Sequence, residues 1–156
     1  MDVARPYGLL SAAIVMPPEE PHIDKNLGSL AASGADAGQI AQAAVVAWTA
    51  VDRALSPIIG ARGMAALYKR SLHLALAEHP WLAVAYEGAL QPGDFASLRA
   101  ALSQQAATNA AAAHDAMLQT FEDLLNNLIG RSLTRRLLQA VWDHPSSGDA
   151  VQDNSP

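Results

Sequence analysis

The chain has 156 residues, enough for one domain with loose ends. Its net charge of −5 leaves no basic footprint of the kind a general nucleic-acid binder needs to release counterions. It has no cysteine, which excludes disulfides, thiolate catalysis and cysteine-ligated zinc or iron–sulfur sites.

Hydrophobic residues make up 51% of the chain and aromatics only 5%, and about a fifth of all residues are alanine. Alanine is the best helix former and lets helices approach closely. No β-branched run alternates with polar residues, so the expectation is an all-α protein. Arginine far outnumbers lysine, which with so much alanine points to a high-GC bacterial coding sequence.

Residues 1–35 read as a proline-rich irregular arm. Pro6, Pro17, Pro18 and Pro21 interrupt any helix, and Glu19, Glu20 and Asp24 keep its middle solvated. Residues 8–16 are apolar, but they lack a basic leader and a small-x-small cleavage site, so they are not read as a secretory signal. This run either docks on the body of a subunit or belongs to a free tail. The longest uncharged helical run, residues 37–51, falls short of the ~20 residues that span a bilayer. The expectation is a cytoplasmic protein without membrane contact.

A helical bundle domain is expected over 36–143. Its first helix runs from an Asp36 N-cap to about Leu55, burying Ile40, Ala44, Ala47, Trp48, Val51 and Leu55. Ser56-Pro57 reads as the cap and first residue of a new turn. A second helix is expected over 62–78, with Met64, Leu67, Tyr68, Leu72, Leu74 and Ala75 inside, stopped by His79-Pro80. Residues 81–90 read as a short helix or a packed loop. Asp94 caps a helix that starts at Phe95 and faces Phe95, Leu98 and Leu102 inward.

The seam that organises the rest is 106–129. Ala110, Ala113, Met117, Phe121, Leu124 and Leu128 recur in steps of three and four, the spacing of a helix packed among helices. A break near 103–105 is preferred to a single rod running from 95 to 129. Gly130 ends the seam, and Ser132 caps a last helix burying Leu133, Leu137, Leu138, Val141 and Trp142. Residues 144–156 are polar, with Pro145, Gly148 and Pro156, and read as a disordered tail.

The result is a bundle of four to five main helices. An offset of about 70 residues aligns Ile59, Gly60 and Leu67 with Ile129, Gly130 and Leu137, so the bundle admits two pseudo-repeated helical hairpins. The alternative is that two helix ends each need a glycine.

Reactive chemistry is thinly signalled. His73, Glu78 and His79 fall on different sides of a helix and lack the i, i+4 histidine pair of a zinc site, so no metal and no cofactor is expected. His114-Asp115, a helical histidine followed by an acid, resembles the phospho-accepting helix of sensor histidine kinases and of histidine phosphotransfer domains. The proline that follows the kinase histidine is absent, and so is the Lys-Gly of the phosphotransfer domain. The resemblance implies an exposed His114 as phospho-acceptor. There is no Gly-x-Ser-x-Gly elbow and no glycine-rich phosphate loop after a strand, so the reading leans away from an enzyme.

Trp48, Tyr68, His73 and Trp81 are the candidates to line a ligand pocket between helices. Arg131, Arg135 and Arg136 open the last helix, where positive charge is unfavourable without partners. Glu122, Asp123 or another subunit are the expected partners. The leading expectation is thus a non-enzymatic helical interaction or regulatory module that forms a homodimer, with a further protein partner admitted. Histidine phosphotransfer through His114 and a small-ligand sensor are the alternatives.

Overall fold

The computed structural model describes residues 25–143. The apolar run 8–16 and the tail from 144 onward, both read from the sequence, lie outside the described residues. Every regular element described is helical: α1 (Gly28–Ala32), α2 (Ala37–Ile59), α3 (Ala61–Ala75), a 3-10 turn (Pro80–Leu82), α4 (Ala83–Gly88), α5 (Ala96–Ser103), α6 (Ala107–Ile129) and α7 (Arg131–Asp143). The all-α bundle expected from composition is the observed fold. Four helices carry the bundle, and three short ones close its sides.

The start of α2 is set by a reciprocal cap. The Gln39 backbone N–H donates to Asp36 Oδ1 at 2.8 Å, and the Asp36 N–H donates to Gln39 Oε1 at 2.9 Å. The helix does not restart at Ser56-Pro57 but runs through Pro57 to Ile59. The Ser56 hydroxyl donates back to Asp52 Oδ1 at 3.1 Å instead of capping a new turn. Proline's missing N–H costs one hydrogen bond two residues before the helix ends, and its fixed φ is already helical.

α3 stops at Ala75, earlier than the expected Glu78. The residue before Pro80 is pushed out of the helical region, and His79 has φ −133 and ψ 72. Leu74 lies off the buried stripe and is 41% exposed. Ser71 is buried instead, with its hydroxyl donating to the Leu67 carbonyl at 2.8 Å. The break between α5 and α6 falls at 104–106, where Ala106 is extended.

On α6 the buried stripe is Ala110, Ala111, Ala113, His114, Met117, Leu118, Phe121 and Leu125. Leu125 takes the place expected for Leu124, and Leu128 is exposed. A straight helix advances 3.6 residues per turn, so a strict three-and-four pattern drifts off the contact line within two heptads. Gly130, not Ser132, begins α7: the Thr134 N–H donates to the Gly130 carbonyl at 3.1 Å. Thr134, Leu138 and Val141 are its buried residues, while Leu133 is exposed.

The repeat is visible in the architecture. An offset of 70 carries Ala37–Ile59 onto Ala107–Ile129, and both helices have 23 residues. Asp36 and Ala106 precede them in extended conformation. Gly60 (φ 86, ψ 153) and Gly130 (φ 92, ψ 151) turn the chain identically into the second helices. Each of the seven buried residues of α2 has a buried counterpart on α6. On the second helices Met64, Tyr68 and Ser71 correspond to buried Thr134, Leu138 and Val141.

The hairpins interlock. α2 packs on α6, α3 lies on both α2 and α6, and α7 lies on both α6 and α2. α5 covers α2 as α1 covers α6. The stretch read as an arm up to residue 35 therefore contributes a helix to the body. The positions that an offset of 70 would pair with α4 and the 3-10 turn lie outside the described residues.

Candidate functional site

Three of the candidate side chains meet in the core. Trp48 is fully buried, and Tyr68 meets it edge-on at 5.1 Å between ring centroids. Phe121 lies 5.0 Å from Trp48 and His114 6.2 Å from it, both nearly perpendicular. Phe95 closes the cluster, 5.0 Å from Tyr68 and 6.3 Å from Trp48. Such edge-to-face pairs each stabilise by roughly 0.5–1.5 kcal/mol beyond the area they bury. The cluster is closely packed. The cleft that reaches Tyr68 between α2, α3 and the 89–95 connection has room for about 10 Å³, one water's worth.

Four buried polar atoms of this cluster lack a protein hydrogen-bond partner among the described residues, Trp48 Nε1, the Tyr68 hydroxyl and both ring nitrogens of His114, and so does Thr134 Oγ1 on α7. Burial, and secondarily the nearby Asp94 carboxylate, hold the Tyr68 phenol well above the ordinary tyrosine range.

His114 is 1% exposed. Its ring lies inside the bundle, where a phosphoryl donor has no access, so the exposed acceptor that the phosphotransfer reading requires is not present. The neighbouring Asp115 carries the contact that matters. Its Oδ1 accepts from the Leu27 N–H at 2.7 Å and its Oδ2 from the Gly28 N–H at 3.1 Å, tying the start of α1 to the middle of α6. His114 Nδ1 stands 3.7 Å from the same carboxylate.

The other candidates lie apart from this cluster. His73 is exposed on α3, its ring 5.6 Å from that of Tyr86. Trp81 is half-buried against His79 at 5.9 Å. Trp48, Tyr68, His73 and Trp81 therefore do not line one pocket, because His73 sits on the solvent side of the helix whose inner side carries Tyr68.

Arg131, Arg135 and Arg136 are exposed on α7, and among the described residues none is in an ion pair. The intrachain partners expected for them are engaged elsewhere. Glu122 faces Lys25 Nζ at 3.5 Å, and Asp123 accepts from Gln119 Nε2 at 3.2 Å. α3 is equally one-sided: Arg62, Lys69 and Arg70 lie on it, and it has no acid. Six of the chain's ten lysines and arginines thus sit on the two second helices of the hairpins.

Two open depressions lie among the described residues. One, of about 510 Å³, runs between α2 and α5 past Thr49, Asp94, Arg99 and Ser103. The other, of about 320 Å³, lies on α3 and is bounded by Ala66, Lys69, Arg70, His73 and Tyr86. Tyr86 and Thr134 are not singled out by the sequence, and Asp115 is noted there only as the acid that follows His114. Asp115 binds a backbone 88 positions away, which no local pattern signals.

Among the described residues no group of three His, Cys, Asp or Glu side chains could hold a metal ion, and no helix is long and apolar enough to cross a membrane. No protein family, curated protein or solved structure matches the chain.

Proposed function

We propose that this protein is a self-associating helical interaction module in which the arginines of α7 meet carboxylates of a second copy. The supporting observation is the outer face of α7. Arg131, Arg135 and Arg136 stand exposed without an ion-pair partner among the described residues, while the other face is fixed in the core by Thr134, Leu138 and Val141. A rigid helix presenting unpaired guanidinium groups suits bidentate recognition of carboxylates. The chain carries 15 acidic side chains against 10 basic ones, so carboxylates for them to meet are in excess. The role proposed is non-enzymatic, and the alanine-rich composition with arginine in excess of lysine supports a bacterial, cytoplasmic setting.

Native mass spectrometry and light scattering at low salt test this reading. The expected species is a dimer of the 16.4 kDa chain that weakens as salt is raised, and the triple variant R131E/R135E/R136E is expected to be monomeric. A monomeric wild type, or a triple variant that still dimerises, would overturn it.

A further inference from the structure

A second site follows from the outer face of α3. α4 lays Tyr86 across that face. That face carries Ala66, Lys69, Arg70 and His73 at spacings of three, four and seven, so all four fall on one stripe. Lys69 Nζ stands 4.9 Å from the centre of the Tyr86 ring, and the His73 ring lies 5.6 Å from it. Together these residues bound the depression of about 320 Å³. No carboxylate lines it, and neither Lys69, Arg70 nor His73 is in an ion pair among the described residues.

We infer that this depression is a binding site for a small phosphate ester. Three nitrogen-bearing side chains converge on one hollow, two of them permanently charged, which matches a dianion better than a single carboxylate. The Arg70 guanidinium offers a planar pair of donors suited to two phosphate oxygens, and Lys69 supplies a mobile point charge. The Tyr86 hydroxyl adds a further donor. The volume sits at the lower end of small-molecule sites, which run from about 300 to 1,000 Å³. Folded partners need broader contact than such a hollow supplies.

The position of α4 is fixed by close packing. A Cβ built at Gly88 would overlap the Ser97 side chain on α5, so the end of α4 seats directly against that helix. The equivalent face of α7 has Gln139 and Asp143 where α3 has Lys69 and His73, and the Gln139 amide donates to the Asp143 carboxylate at 3.0 Å. The repeat therefore supplies one such site per chain, not two.

The test is calorimetric titration of the full chain with inorganic pyrophosphate and with phosphoserine. Saturable binding at one site per chain is expected. K69A and R70A should each weaken it about tenfold, and the double variant should abolish it. These are surface truncations, and unchanged thermal unfolding would show that the variants fold. R135A/R136A, which removes a similar charge from α7, should leave binding unchanged, so failure here is separable from failure of the dimer. Absence of saturable binding, or equal loss in the α7 variant, would overturn the site. A phosphoserine peptide that binds more tightly than phosphoserine itself would overturn the assignment to a small molecule.

Discussion

The Tyr68 hydroxyl is buried without a protein partner, and burial together with Asp94 raises its pKa above the ordinary value of 10.0. A raised acid keeps its proton in the folded state after the unfolded chain has lost it. Its contribution to stability is whole below about pH 10 and is lost as pH climbs from there through the raised pKa, at up to about 1.4 kcal/mol per pH unit. Chemical denaturation between pH 9 and 12 should therefore show a steep alkaline limb that Tyr68→Phe flattens, with a gain on the order of 1 kcal/mol at neutral pH from removing the unpartnered hydroxyl. An identical limb in both proteins would place the titrating group elsewhere. Thr134 poses the simpler case. Its hydroxyl is buried and unpartnered, and its counterpart in the first hairpin is Met64. Thr134→Val keeps the shape and deletes a polar atom that costs on the order of 1 kcal/mol to bury. A higher melting temperature is expected, and a lower one would mean that the hydroxyl has found an acceptor.

Among the elements, α1 has the weakest internal support. It has five residues, no side-chain cap of its own and no buried residue within its span. An isolated helix this short does not persist in water. Leu27, fully buried just before it, and the Asp115 carboxylate hold it in place. Asp115→Ala removes both hydrogen bonds and should cost about 1–2 kcal/mol. Hydrogen exchange should speed up most at residues 27–35, with α2 and α6 little affected. Protection lost evenly along the chain would refute a local role. The elements legible in the sequence were those that carry their own signals: the Asp36 cap, the glycines at 60 and 130, and the apolar period of the long helices. α1 was not among them, because its support comes from a side chain 88 positions away. Pro57 misled for a related reason. A proline at the first helical position marks a helix start, but one inside a helix only removes a hydrogen bond and crowds the carbonyl four residues before it, and here just Ile58 and Ile59 follow before α2 ends.

At the scale of the whole molecule, the repeat decides how the protein holds together. Matching glycines suggested two hairpins, but their interlocking could not be read from the sequence, since periodicity gives a helix's buried side and not the helix that covers it. α3 rests on α6 and α7 on α2, so each hairpin completes the core of the other. The candidate site shows the same limit: Lys69, Arg70 and His73 share a stripe that spacing reveals, while Tyr86 arrives through the packing of α4. A chain built this way should unfold as one cooperative unit. Residues 1–91 made alone would leave Trp48 and Tyr68 without Phe121, His114 and Phe95, exposing apolar surface that a lone hairpin cannot cover. That half is expected to be largely unfolded by circular dichroism, or to pair with itself in place of the missing half. Mixing it with residues 92–156 should restore helicity at equal amounts of the two. A first half that folds as a stable monomer would show that the hairpins are independent domains and that the shared aromatic core contributes little to their stability.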